Sequence, residues 1–339
     1  MFVFCLALVT ITASDSSSGA KDNSDAHLPY RFQQVHQVPG VGYQPRDPWS
    51  RRALLCRVPG QDADAVLWTQ ARGPRLLGYL AGSFHAAWME PYPEIINGEG
   101  ITSRVDGVWT FKQGGEPEAV FHALDPNRFR LLVERRRVRD GILTARFELE
   151  TGPDRNGDGV WDGDVRVAGV VDVPTADGLW QALVILARAA YDLSPRGVRV
   201  VAADTGELLW SYLVGPQPGY DDFAMEDLDG DHEPEIIFGG AAVGNIHQGD
   251  FNGTRDDSTR VFALDGAGRL LWSRPFAPYS ASMTLRVADV SGDSLPEVLV
   301  GSRSAVKECK GIFLLDGKGA LLDSLIIPSG VCELALIPG

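Results

Sequence analysis

Two different stretches of this chain repeat at one spacing, and that limits the folds open to it. Val200-Val-Ala-Ala-Asp204-Thr-Gly-Glu-Leu-Leu-Trp210-Ser211 matches Val261-Phe-Ala-Leu-Asp265-Gly-Ala-Gly-Arg-Leu-Leu-Trp272-Ser273 and Ile312-Phe-Leu-Leu-Asp316-Gly-Lys-Gly-Ala-Leu-Leu-Asp323-Ser324. Each reads as strand, Asp/Gly turn, strand, which is a β-hairpin. Asp227-Leu-Asp229-Gly-Asp231-His-Glu233-Pro-Glu235-Ile-Ile-Phe-Gly-Gly240 matches Asp289-Val-Ser291-Gly-Asp293-Ser-Leu295-Pro-Glu297-Val-Leu-Val-Gly301. Trp210 and Trp272 are 62 residues apart, and so are Asp227 and Asp289. One unit therefore holds one hairpin and one acidic loop with its following strand. The step from Asp265 to Asp316 is 51 residues, and an insertion from Ala241 to Ser258 accounts for the longer unit. Several strands in a repeat of this length are the mark of a β-propeller blade.

The acidic loops carry the chemistry. Asp227, Asp229, Asp231 and Glu235 stand at loop positions 1, 3, 5 and 9, with glycine at position 4. Carboxylates crowded in this way need a counter-charge, and Ca²⁺ takes six to eight oxygen ligands. Glycine gives the backbone freedom to curl round an ion. The second copy offers Asp289, Ser291, Asp293 and Glu297, a weaker set because serine replaces a carboxylate. A third copy, Asp154-Arg-Asn156-Gly-Asp158-Gly-Val-Trp-Asp162, has Asn156 at position 3 and Asp162 at position 9. An EF-hand requires glycine at position 6 and glutamate at position 12. Position 12 is Phe238, Val300 or Val165, so the EF-hand is excluded. Three plain acidic turns are the alternative, since Asp, Asn and Gly all form turns.

The acidic loops with Gly-Gly resemble the FG-GAP repeats of integrin-α-like and VCBS-type propellers. The Asp-Thr-Gly-Glu-Leu-Leu-Trp hairpins resemble the blades of quinoprotein-like (PQQ-type) propellers. The resemblance covers residues 180–324 and extends to Tyr191-Asp-Leu-Ser-Pro-Arg-Gly-Val198 and Asn252-Gly-Thr-Arg-Asp-Asp-Ser258. It implies an all-β fold, a β-propeller of five to six and at most seven four-stranded blades, in a ring that is either closed or incomplete. It also implies structural Ca²⁺ with side-chain oxygens at positions 1, 3, 5 and 9 and a carbonyl at position 7. Those carbonyls are Glu233 and Leu295.

The rest of the chain divides into an N-terminal stretch and the propeller. Residues 1–14 hold an apolar run long enough for a signal-peptide core and too short to cross a bilayer. No basic residue precedes it, so it reads as a signal peptide or as the end of a membrane segment, with a buried strand as the third reading. The first two imply a secreted, periplasmic or cell-surface protein, tethered to a membrane through this end or through a larger polypeptide. Residues 15–45 read as a flexible linker and 46–339 as the propeller, with 151–339 carrying the repeats. Within 53–150 we expect strands at 53–58, 65–68, 75–80, 107–111, 129–134 and 143–150. Trp180–Tyr191 fits a helix by composition and a strand by its place in the repeat. The run Glu134-Arg-Arg-Arg-Val-Arg139 reads as a solvated turn or strand edge. A net charge of −14 argues against nucleic acid as a partner. Cys309 and Cys332 flank one hairpin-like unit; spacing alone leaves both the paired and the unpaired form open.

For function, the first reading is a non-enzymatic binding or sensing module that takes a protein or carbohydrate ligand on a propeller face. The insertion supplies its ligand loop, with His247, Asp250, Asn252, Asp256 and Asp257 as contact residues. An adhesin is a close variant. The enzyme alternatives are a quinone-dependent dehydrogenase or a polysaccharide lyase. Against them, Trp210 and Trp272 occupy equivalent blade positions, which packing explains. His85, His122 and His247 are scattered and read as structural.

Overall fold

The computed structural model describes two short strands at 7–10 and 33–37 and then residues 53–334. The gaps fall at 59–63, 71–72, 81–82, 91, 93–101, 112–114, 177, 246–250, 279–280 and 332–333. The chain forms two compact units, Gln44–Val214 and the combination of Met1–Tyr43 with Gly215–Gly339. Ala7–Thr10 (β1) and Gln33–Gln37 (β2) pair as an antiparallel ribbon. The signal-peptide and linker readings otherwise lie outside the described residues, as does Cys332.

Among the described residues, the unit Gln44–Val214 holds three sheets. Sheet 1 is Ala53–Arg57 (β3), Asp64–Gln70 (β4), Gly73–Leu80 (β5) and Ser83–Met89 (β6). Sheet 2 is Thr102–Thr110 (β7), Pro117–Asp125 (β8), Arg130–Arg137 (β9) and Leu143–Glu150 (β10). Sheet 3 is Gly163–Thr175 (β11), Gly178–Ala189 (β12), Arg196–Ala202 (β13) and Leu208–Leu213 (β14). The other unit holds two more. Sheet 4 is Gln217–Glu226 (β15), Glu235–Ala241 (β16), Ser258–Leu264 (β17) and Leu270–Pro278 (β18). Sheet 5 is Ser282–Ala288 (β19), Glu297–Arg303 (β20), Gly311–Leu315 (β21) and Leu321–Ile326 (β22).

Each sheet is a four-stranded antiparallel meander in chain order. Within each unit the first strands of successive sheets lie against each other, β7 against β11 and β15 against β19. Up-and-down sheets packed through their first strands are propeller blades. The fold class is therefore all-β of the propeller type, as the repeat spacing implies. Trp180–Tyr191 resolves as strand: β12 is an interior strand buried from Ala182 to Ala187, and β-branched residues suit that place. The strands β6 and β8 have no counterpart in the sequence reading. Both carry a histidine and alanines among their apolar residues, which blurs the alternation.

Packing between blades explains the aromatic at Trp272. In sheet 5 the β21–β22 turn holds Gly319 at φ +77°, and an added Cβ there would come within 2.6 Å of the Trp272 ring of sheet 4. The Trp272 indole Nε1 donates to Gly317 O at 2.9 Å. Sheets 1 and 2 repeat the arrangement. Gly141, at φ +71°, lies on Trp88, whose Nε1 donates to Val138 O at 2.9 Å. Each turn thus needs glycine twice over, for its left-handed backbone and for the ring beneath it. Apolar cores lie between the blades, with Leu131, Trp161, Val165 and Ile185 in one unit and Ile237, Val261, Leu285 and Val300 in the other.

The basic run departs from expectation. β9 is interior to its sheet, and Arg135 and Arg136 are each 3% exposed. Arg136 Nε lies 2.8 Å from Glu134, which is fully buried and also receives Arg146. Arg135 Nε lies 3.0 Å from Glu118. Residues 134–136 are not a solvated edge, because buried carboxylates on their own and neighbouring strands compensate the cations. The run ends in the β9–β10 turn as read, with the Arg139 side chain 52% exposed.

Candidate metal-binding loops

The acidic loops at Asp227 and Asp289 join the first strand of a blade to the second, as the repeat requires. In the first, Asp227 Oδ1 accepts from Gly230 N at 2.7 Å and Oδ2 from His232 N at 2.8 Å. Asp231 Oδ1 accepts from Glu233 N at 2.7 Å. In the second, Asp289 accepts from Gly292 N at 2.6 Å and Ser294 N at 3.0 Å, and Asp293 from Leu295 N at 2.9 Å. The third loop follows the same scheme. Asp154 accepts from Gly157 N at 2.6 Å and Gly159 N at 2.8 Å, and Asp158 from Val160 N at 2.9 Å.

The backbone agrees with the hydrogen bonds. Position 4 is left-handed in every copy: Gly230 at +84°, Gly292 at +80° and Gly157 at +79°. Position 6 is left-handed as well, in His232 at +71°, Ser294 at +77° and Gly159 at +83°. Two left-handed residues with one residue between them curl the chain so that the Asp at position 1 receives the N–H groups of positions 4 and 6 in every copy. Only the third loop has glycine at both places.

The loops differ in how they close. Glu235, 3% exposed at the start of β16, accepts from Leu228 N at 2.7 Å. Glu297 does the same for Val290 N at 2.8 Å. The third loop follows β10 and precedes β11, so it lies between two blades and not within one. There the matching acceptor is Asp192, from the β12–β13 connection and fully buried. Asp192 Oδ1 accepts from Arg155 N at 2.7 Å, and Oδ2 from Asp162 N at 2.6 Å. Asp162, the residue at sequence position 9, instead receives Asn156 Nδ2 at 2.8 Å. Sequence reading missed Asp192 as the closing acid because it stands 30 residues beyond Asp162.

Oxygens of Asp227, Asp229 and Glu235 all lie within 4.8 Å of one another. Burial, with the charges of Asp229, Asp231 and Asp227, pushes the Glu235 carboxyl up from 4.5 to about 7. At Asp227 desolvation acts upward, but the N–H groups of His232, Gly230, Asp229 and Asp231 together hold the carboxyl below its ordinary value. Desolvation, then Asp158 and Asp192, raises Asp162. In the second loop the Ser291 hydroxyl is enclosed and has no hydrogen-bond partner among the described residues. The loops at 227 and 289 are neighbours, since a Cβ on Gly230 would touch Leu295 at 3.2 Å.

The insertion is built differently from the acidic loops. Asp256, 1% exposed, turns inward and accepts from Val243 N at 2.8 Å and Asn245 N at 3.0 Å. It serves as a scaffold for the loop base. Asn252 is exposed in a tight Phe251–Thr254 turn, and Asp257 receives the Ser258 hydroxyl at 3.4 Å. His247 and Asp250 lie outside the described residues. His122 is fully buried with Nδ1 2.6 Å from Asp106, and its Nε2 has no hydrogen-bond partner among the described residues.

No protein-family model matches the chain, and no curated protein matches it. Solved structures similar to it include the quinohemoprotein alcohol dehydrogenase from Comamonas testosteroni, at 14% identity and TM-score 0.47, over 79% of this chain and 44% of that one. A europium-containing methanol dehydrogenase gives 12% and 0.44, over 78% and 49%. Rhamnogalacturonan lyase YesW gives 16% and 0.39, over 78% and 51%. The chain spans about half the length of these structures. Its fold assignment rests on strand order and blade packing, not on these likenesses.

Proposed function

We propose that this chain is an exported, Ca²⁺-stabilised propeller that acts as a non-enzymatic binding module. The observation that carries the reading is one loop conformation built three times, with the Asp227, Asp229 and Glu235 oxygens converging within 4.8 Å. Without a cation, burial first and the charges of Asp229, Asp231 and Asp227 second leave Glu235 about half protonated near neutral pH. A hard divalent cation removes the conflict, and an all-oxygen donor set suits Ca²⁺ over softer metals. Asp227, Asp229, Asp231 and Glu235 with the Glu233 carbonyl would hold one ion. Asp289, Ser291, Asp293 and Glu297 with the Leu295 carbonyl would hold another, and the unpartnered Ser291 hydroxyl fits a ligand role. Asp154, Asn156 and Asp158 form a third set, closed by Asp192 in addition to Asp162. The ions pin loops at blade ends and raise stability by binding the folded state alone.

A thermal melt with EDTA, with Ca²⁺ added back and with Mg²⁺ in its place, tests this. Ca²⁺ at about a hundredfold over its dissociation constant should raise Tm by roughly 5–10 °C. Equal melts under all three conditions would overturn the ion assignment.

A further inference from the structure

Sheet 3 lacks an acidic loop where sheets 4 and 5 have one, and a cleft opens in its place. Ile236 pairs with Leu264, the residue before Asp265. In sheet 3 Gln181 O accepts from Ala203 N, and Ala203 is the residue before Asp204. The residue preceding Ile236 is the closing acid Glu235; the residue preceding Gln181 is Trp180. A tryptophan therefore stands at the register position of the closing acid, and β11 and β12 run on into a narrow hairpin.

The cleft has a volume of about 350 Å³, at the small end for ligand pockets, and lies between sheets 2 and 3 within one unit. Phe111, Arg135, Leu179, Trp180, Gln181 and Asp204 line it, with two alanines leaving room. Arg135 lies 3.6 Å from the centre of the Phe111 ring. Its Nη1 is 2.5 Å from Asp204 Oδ1, and Glu118 holds its Nε at 3.0 Å. The Asp204 side chain is 49% exposed at the cleft mouth. Arg135 is thus fixed by packing and two carboxylates, and it orients Asp204 in turn.

We propose that this cleft binds a neutral sugar ring. The charges decide the class. Two carboxylates against one guanidinium disfavour an anion, and the short Arg135–Asp204 contact cancels most of the pull on a cation. What remains is a carboxylate and an amide that accept and donate to hydroxyls, beside indole and leucine surface for the C–H face of a pyranose. A monosaccharide held this way binds at a Kd on the order of 1 mM. The cleft uses none of the ion-loop residues, so its failure and that of the Ca²⁺ reading are separate events.

Saturation-transfer NMR on the full chain with Ca²⁺ present tests it. The probes are D-glucose, D-galactose, D-mannose, L-rhamnose and N-acetyl-D-glucosamine, with D-glucuronate and choline as charged controls. Saturation of at least one neutral sugar is expected, weakened tenfold or more by Trp180→Ala and by Asp204→Asn. Asp204 is exposed and Trp180 half-buried, and an unchanged melt certifies the fold; Leu179→Ala, at an exposed site, serves if either variant unfolds. No neutral sugar bound at 10 mM by this readout (on the order of ten times the expected Kd), binding of a charged control alone, or binding indifferent to the substitutions would each overturn the proposal.

Discussion

The loops at Asp227 and Asp154 share a conformation residue for residue and yet close by different routes. Asp227 and Asp154 accept the same pair of backbone donors, at positions 4 and 6. The first loop is then closed by Glu235 on the strand that follows it, and the second by Asp192 from another connection. The difference teaches that the turn demands a carboxylate at a point in space, beside the position 2 N–H. Within a blade the chain passes that point eight residues after Asp227. Between blades it moves away, and a neighbouring hairpin must supply the acceptor.

Removing Asp192 is the hardest test of that comparison. Asp192→Ala removes a fully buried acceptor and leaves the partly buried Arg155, Asn156 and Asp162 N–H donors without it. A loss of about 3 kcal/mol in urea unfolding is expected, because each stranded donor costs about 1–3 kcal/mol and the loop relaxes in part. Asp162→Asn should cost less than about 1 kcal/mol, its side chain being at the loop surface. The reverse ranking would return the closing role to Asp162.

pH separates the loops next. In EDTA the Glu235 carboxyl titrates near 7 in the folded chain and near 4.5 when exposed. Between those values the folded state binds the extra proton, so this group's contribution to stability is full below 4.5 and is lost as pH rises through 7. The loss is about 3 kcal/mol. Glu235→Gln should flatten that slope, and so should saturating Ca²⁺. Unfolding curves from pH 4.5 to 8 that superimpose for the wild type and Glu235→Gln would refute the burial argument.

Position 6 sharpens the contrast by small steps. Gly159→Ser should cost about 1 kcal/mol, since a side chain is strained at its φ of +83°. Ser294→Gly should gain about 0.5 kcal/mol in the loop where serine bears that strain, with His232→Gly gaining less because histidine tolerates the region better. Parallel denaturation of the three variants reads the order directly.

Much of the blade plan was legible in the sequence because each piece is local. The Asp/Gly turns and the strands after the acidic loops at Asp227 and Asp289 follow from patterns a few residues long, whereas Trp180–Tyr191 reads as helix by its own composition and as strand only through its place in the repeat. The third loop's own turn was equally readable, down to its two glycines. Its partner was not, since Asp192 joins it only after β11 and β12 have folded between them. The burial of Arg135 and Arg136 was hidden for a related reason. A run of arginines reads as solvent-facing until Glu134 and Glu118 are seen packed against it.

The sequence by itself determined the repeating unit, the turn chemistry and the acids at loop positions 1 and 5. These depend on φ preference and side-chain reach within one turn, both properties of adjacent residues. Tertiary structure alone decided which acid closes the third loop, which glycines lie beneath an aromatic ring, and that Trp180 faces a cleft where its sister blades hold an acid. Those outcomes depend on strand register and on the approach of one blade to the next, distances fixed only when the sheets pack.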